Sequence, residues 1–403
     1  MNTSRPLLNM RILAVEQYGA GPFGTQFLAD MGAEVIKIEH CEDGGDVGRS
    51  IGPHFAQGMP ADRASLFFHS FNRNKKSICL NLSEDAGRKV LHDLVATADG
   101  LVCNLRGDVP ARLGLTHESL RTANPKIVCA HLSGYGRDGS RATWPGYDYL
   151  MQAEAGYFAL TGDPDGPPAR MGLSVIDMMA GTLTSLGLLA GILSARESGR
   201  GRDVDVSLFD VAIFHLNYVG AWALGAGVNQ QREARSAHPS LTPCQSYKTQ
   251  DGWIYLMCNK EKFWPRLCKL LDRPAWIEDA RFLRFADRKA HRDLLTTMLD
   301  EVLSEQTTAE WLVRFGGRIP ASPILDVAQA LANPFVAERG LVREAEDADG
   351  HVLQLLANPI RTGGLPARDK AGPGLGADTT AILEKLGYSP EMIAGLLRER
   401  IVA

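Results

Sequence analysis

Asp177 is the only charged side chain between Arg170 and Arg196. It heads an apolar, glycine-dotted run from Met178 to Leu193, which has the length of a buried helix. A carboxylate in that place has two uses. The first is capping: Ser174-Val175-Ile176-Asp177 fits a box in which a hydroxyl is followed three residues later by an acid, tying up free amides at the helix start. The second is chemistry. Beside apolar walls a carboxylate is poorly solvated and more nucleophilic, while the helix dipole keeps it ionised. Capping is the commoner use of the pattern, so other residues must decide.

Gly19-Ala20-Gly21-Pro22-Phe23-Gly24 matches G-x-G-x-x-G, lies between an expected strand and an expected helix, and has Glu39 at the end of the next strand. That is a dinucleotide fingerprint, with glycines for a pyrophosphate and an acid for a ribose. It makes a nicotinamide-dependent oxidoreductase a rival reading. Pro22 suits a first helical turn but removes one amide that could face a phosphate. A third feature is Asn72-Arg73-Asn74-Lys75-Lys76-Ser77, a basic run immediately before a strand, followed later by Arg106 and Arg112 beyond Asn104. Such charges are usually a solvated face; near a sheet edge they also suit a ligand that carries phosphates.

Composition narrows the field. The 403 residues are 45% apolar and 22% charged with a net charge of −4, which gives no basic field for nucleic acid. The seven cysteines contain no Cys-x-x-Cys pair and read as free thiols, Cys244 among them. The ten histidines show no spacing that joins those cysteines in a metal site. The N-terminus lacks a signal-like apolar stretch, and Met178–Leu193 reads as too short to span a bilayer. A cytoplasmic protein without a membrane partner is expected.

The elements that must position these residues alternate. Arg11–Val15 and Glu34–Glu39 read as strands around a helix over Gly21–Met31. Ser77–Leu82, Leu101–Asn104 and Ile127–Leu132 continue the series, with helices over Glu84–Ala96 and His117–Ala123 between them. Ser83 is the expected N-cap of the first of these helices, and Gly87 its weak spot. After the Asp177 helix come a strand over Asp203–Leu208 and one helix from Phe209 to about Leu224. The pattern predicts an α/β domain over 1–225, a smaller α+β domain over 226–345 that includes a strand at Gly252–Cys258, and a segment over 346–403 returning to the first.

Taken in order, Ala20-Gly21-Pro22, Gly32-Ala33-Glu34-Val35-Ile36-Lys37-Ile38-Glu39, the basic run, Arg112-Leu113-Gly114, Ser133-Gly134-Tyr135-Gly136, Pro145-Gly146-Tyr147-Asp148, Val204-Asp205-Val206-Ser207-Leu208 and the closing Leu375-Gly376 with Asp378-Thr379 resemble the class III CoA-transferases. The resemblance runs over essentially the whole chain. It implies a large Rossmann-like domain, a small domain, and a homodimer of chains interlinked like rings. It implies that Asp177 is the nucleophile and that coenzyme A, as substrate and product rather than a tightly bound cofactor, touches Gly19, Ala20, His40, Leu80, Asn104, Arg106, Arg112 and Tyr147. The expected reaction moves CoA from a short acyl-CoA, with succinyl-CoA a candidate donor, to a small carboxylic or dicarboxylic acid. Amides at the start of the Asp177 helix are expected to hold the oxyanions.

Departures from the family pattern bear on the substrate. The related racemases carry a histidine where Tyr147 stands, and a tyrosine is a poor partner for α-proton exchange near neutral pH. An acyl-CoA epimerase is therefore the runner-up, and a non-catalytic CoA-binding protein a third reading. The region His238–Lys248 lacks the glycine run of formyl-CoA transferase, which makes oxalate and formyl-CoA doubtful substrates. His40 stands where some relatives have an arginine, and Asp148 is expected only to cap or orient a turn.

Overall fold

The computed structural model describes residues 5–362 and 368–403. The chain divides into two units: residues 1–155, 171–220 and 335–403 form one, residues 156–170 and 221–334 the other. The sequence-based limits at 225/226 and 345/346 do not include the short excursion at 156–170, and the return begins at 335.

The first unit is built on β1 (Arg11–Val15), β2 (Glu34–Glu39), β3 (Lys76–Cys79), β4 (Gly100–Cys103), β5 (Val128–Ser133) and β6 (Arg202–Ser207). All pairings are parallel and the order is β3-β2-β1-β4-β5-β6. The chain therefore runs outward from β1 to β3 and crosses back to β4. Such a reversal opens a crevice at the carboxyl ends of the two central strands. Both faces of the sheet are covered, and every residue of β4 and β5 is buried, His131 included.

Four helices matter for the site: α1 (Ala20–Asp30), α2 (Asp85–Val95), α3 (Asp148–Glu154) and α4 (Val175–Ser198). On one face Leu13, Ile36 and Leu101 pack with Val90 and Leu94 of α2. On the other Ile12, Val35 and Ala130 pack with Leu28 of α1 and with Leu188 and Ile192 of α4. Burying such side chains contributes about 1.5–3 kcal/mol each. Within α2 the N-cap is Glu84 rather than Ser83. Gly87 is a requirement, not a weakness: a Cβ there would overlap the Asn81 carbonyl.

Helix α4 corrects a second expectation. It has 24 residues and among the described residues is the one unbroken helix long and apolar enough to cross a membrane, so its length does not exclude a span. Half of its apolar window is buried in this unit, with Gly187 and Gly191 lying against Val204 and Val128. The helix expected over Phe209–Leu224 is broken into Leu208–Phe214 and Asn217–Ala226, with Asn217 left-handed at φ 44°.

The second unit is α+β. Strands β7 (Cys244–Lys248), β8 (Trp253–Met257) and β9 (Ala321–Pro323) pair antiparallel, and only β8 was legible beforehand. Tyr247, Ile254, Trp264, Leu299 and Trp311 fill its core. A small sheet of β10 (Val342–Glu346), β11 (Val352–Leu356) and β12 (Asp369–Lys370) belongs to the first unit. Among the cysteines, Cys103, Cys129, Cys244, Cys258 and Cys268 are free and buried, whereas Cys79 is disulfide-bonded. Spacing in sequence carries no information about cysteines that the fold brings together.

Candidate active site

At the carboxyl ends of β1, β4 and β5 lies a cavity of about 480 Å³, lined by Gln17–Ala20, Asn104–Arg106, Ser133, Gly134, Tyr147 and Asp177. Its shape follows from glycines. A Cβ on Gly24 would overlap the Gly181 carbonyl, and one on Gly181 would overlap the Ala20 carbonyl. Helices α1 and α4 thus meet backbone to backbone, which sets the first turn of α4 against the loop after β1. A Cβ on Gly19 would stand 3.1 Å from Asp177 Oδ2, so the carboxylate occupies the space of a missing side chain.

That loop is clamped from three sides. Asn104 Oδ1 accepts from Gln17 N (2.8 Å), and Asn104 Nδ2 donates to Gln17 O (2.7 Å). Lys37 Nζ donates to Glu16 O at 2.9 Å. Asp46 Oδ1 accepts from Tyr18 N at 2.8 Å, holding Tyr18 left-handed at φ 67°. The amides of Gly19, Ala20 and Gly21 have no acceptor among the described residues.

The cap of α4 comes from a different residue than the local pattern suggested. Ser174 makes no side-chain cap bond. Instead Asp148 Oδ2 accepts from Ile176 N (2.6 Å) and Asp177 N (3.0 Å), while Gln152 Nε2 donates to Asp148 Oδ1 (2.5 Å). Asp148 is therefore more than a turn residue. It also occupies the α4 amides that were expected to serve as an oxyanion site. The Asp177 carboxylate is left without a hydrogen bond among the described residues, although the residue is only 6% exposed.

The electrostatic expectation is reversed as well. Burial, with Asp148 beside it, pushes the Asp177 carboxyl up to about 7. The dipole of α4 favours the anion, but it acts weakly where its leading amides already face the Asp148 charge. Desolvation wins.

Of the eight residues proposed to touch CoA, Gly19, Ala20, Asn104, Arg106 and Tyr147 line this cavity. Arg106 is bonded to Asp108 through Nε (2.5 Å) and Nη2 (2.9 Å), and Tyr147 is 62% exposed. His40 and Leu80 line an adjoining cavity that shares Gln17 and Leu105 with the first. Arg112 lines neither and lies 3.7 Å from Asp108.

The basic run does not face a ligand. Arg73 is buried against Asp30 (2.6 Å), Lys75 against Glu16 (2.7 Å), and Lys76 pairs with Glu34. Burial pulls Lys75 down to about 8 despite that partner. Strand β2, read as alternating, is buried on both faces because Lys37 meets Asp46 at 2.8 Å and Glu39 meets Arg49 at 2.6 Å. Glu39 also accepts from Ser77 Oγ (2.6 Å) and Asp46 N (2.9 Å), which leaves it no capacity for a ribose. Asp347, Asp349 and His351 come together in the hairpin after β10, but Arg63 pairs with Asp349 and stands 4.0 Å from Asp347.

Residues 7–379 match the model of CoA-transferase family III. The chain belongs to this family. Succinate–glutarate CoA-transferase of Agrobacterium fabrum is 33% identical over 400 residues, covering 96% of each chain. Acetyl-CoA:oxalate CoA-transferase of Acetobacter aceti is 34% identical over 346 residues, covering 85% of this chain and 86% of that one. The crystal structure of a CAIB/BAIF family protein from Brucella suis superposes with a TM-score of 0.82 at 30% identity, covering 94% of this chain and 99% of that one. As a class III CoA-transferase the protein is an enzyme that uses CoA thioesters, and the nicotinamide reading of Gly19–Gly24 is set aside.

Proposed function

We propose that the enzyme passes CoA from succinyl-CoA to a small dicarboxylic acid, with Asp177 as the covalent relay. The observation that carries this is the Asp177 carboxylate, buried on the cavity wall and without a hydrogen bond among the described residues, with Asp148 doing the capping. The names of similar transferases acting on succinate, glutarate and oxalate support a diacid.

Each step balances. Asp177 attacks the thioester carbonyl, the C–S bond breaks, and an aspartyl–succinyl anhydride and CoA thiolate form. The thiolate attacks the aspartyl carbonyl, releases succinate and leaves an aspartyl-CoA thioester. The acceptor carboxylate displaces the thiolate to form a second anhydride, and the thiolate attacks the acceptor carbonyl, releasing acyl-CoA and Asp177. Splitting one transfer in this way lowers each barrier. The free amides of Gly19, Ala20 and Gly21 are the donors available for the oxyanions, in place of those of α4. CoA would lie along Gly19, Ala20, Asn104 and Arg106 toward His40 and Leu80, with Arg112 and Tyr147 at the margins. The sheet order supports a Rossmann-like description. Exposed Leu186 and Leu193 on α4 suit a homodimer, in a cytoplasmic enzyme.

The test is mass spectrometry of the protein quenched after exposure to acyl-CoAs, with hydroxylamine trapping. A CoA thioester or hydroxamate on the Asp177 peptide, absent in Asp177→Ala, is expected. Turnover with an unmodified peptide and an active Asp177→Ala would sink the relay and revive the epimerase.

A further inference from the structure

The first cavity does not end at Asp177's side of the sheet. A second, of about 300 Å³, shares Gln17 and Leu105 with it and reaches Glu39, His40 and Leu80 at the ends of β2 and β3. A third, of about 370 Å³, shares His40 and Leu80 with the second, and its far wall is Leu397, Arg400, Ile401 and Val402. From β5 to β3 the groove crosses four strand intervals, roughly 19 Å at about 4.8 Å each. That is the scale of an extended pantetheine arm with a nucleotide at its end.

Of the acids along the outer two cavities, Glu16, Glu39 and Asp46 are already paired with Lys75, Arg49 and Lys37, which leaves Glu42 and Asp43 at the rim. Arg400 is the one arginine or lysine among the described lining residues of these two cavities. Its backbone is fixed. Arg400 is left-handed at φ 54°, Ile401 N donates to Leu396 O (2.9 Å), and Ile401 O accepts from Asn81 N (2.8 Å) just beyond β3. Ile401 and Val402 are buried, whereas the Arg400 side chain is 82% exposed and stands 3.8 Å from Glu42 Oε1, beyond hydrogen-bond reach. A fixed stretch of backbone thus holds a guanidinium, paired only loosely with Glu42, over the end of the groove.

We propose that Arg400 binds the 3′-phosphate of the CoA nucleotide, with the segment from Leu397 to Val402 forming the outer wall of the nucleotide site. This rests on the proposed CoA orientation, thiol at Asp177 and nucleotide toward β3. A guanidinium matches a phosphate dianion bidentately, and without it the exposed Glu42 and Asp43 would be the charges nearest that group.

The experiment compares succinyl-CoA with succinyl-3′-dephospho-CoA on the wild type, Arg400→Gln and Glu42→Gln. The wild type is expected to favour the 3′-phosphorylated donor in kcat/KM by about tenfold, as one charge-assisted contact allows. Arg400→Gln should erase that preference by lowering only the phosphorylated arm, and Glu42→Gln should widen it. Equal losses on both donors, no change in Arg400→Gln, or a wild type indifferent to the phosphate would each overturn the assignment. If no protein turned over either donor, the proposed function would fail. Calorimetric titration of CoA against 3′-dephospho-CoA on the same three proteins would then still read Arg400, with an unchanged affinity ratio overturning its role.

Discussion

Asp148 Oδ2 holds the backbone amide of Asp177 at 3.0 Å while its charge raises the affinity of the Asp177 carboxyl for a proton. In the proposed relay, one residue therefore fixes where the nucleophile sits and sets the pH at which it works. The two effects are separable, because an asparagine at 148 keeps an acceptor oxygen for the amides and loses the charge.

In the proposed relay Asp177 attacks as the anion, and burial raises its carboxyl to about 7 from 3.8. The expected kcat/KM rises with pH up to about 7 and then levels off. Asp148→Asn should move that midpoint to lower pH, and a profile that stays in place would show that Asp148 has no electrostatic hold on the nucleophile.

The same shift is a stability statement. A carboxyl whose value is raised on folding favours the fold while protonated, so its contribution declines as pH rises from about 4 through 7. The penalty above pH 7 is on the order of 4 kcal/mol, at 1.36 kcal/mol for each unit. Asp177→Asn should therefore raise stability at pH 8 by up to that amount and confer no gain at pH 4. Urea unfolding at the two pH values measures the difference.

Gly24 and Gly181 bring α1 and α4 into backbone contact. Either Gly→Ala change must push the helices apart, at a cost of about 1–3 kcal/mol for overpacking. It should also lower turnover more than tenfold, because Asp177 lies on the first turn of the helix displaced. Gly187→Ala meets a Val204 methyl at 2.8 Å instead. It should cost less stability and leave turnover within about twofold, since a side chain yields where a backbone does not. Equal losses of activity at positions 24 and 187 would separate catalysis from the α1–α4 contact.

What could be read from the chain divides along the range of the interactions involved. The strand–helix alternation of the first unit is local periodicity, and β1, β2 and α1 stand within a residue or two of their expected limits. Asp177 stood out through the absence of other charges around it. Its cap did not, because Ser174 is three positions away in sequence while Asp148 reaches the same amides only after the chain has folded back. The paired fate of Lys75 with Glu16 and of Glu39 with Arg49 was hidden for the same reason. A local pattern shows which residues are charged, not which charges are already satisfied.

The basic run provides the sharpest test of that distinction. Read along the chain, Lys76 is as good a phosphate ligand as Arg106. In the fold, Lys76 is committed to Glu34, whereas the exposed Arg106 lines the cavity and is tied to one half-buried neighbour, Asp108. A surface pair of this kind is worth about 0–1 kcal/mol, so an incoming phosphate can displace it. Arg106→Gln should raise KM for succinyl-CoA about tenfold, the loss of one charge-assisted contact, with little change in kcat. Lys76→Gln should leave KM within about twofold. If the ranking were reversed in initial-rate measurements, the groove would have to run past the basic strand edge instead of along the carboxyl ends of β1 and β4.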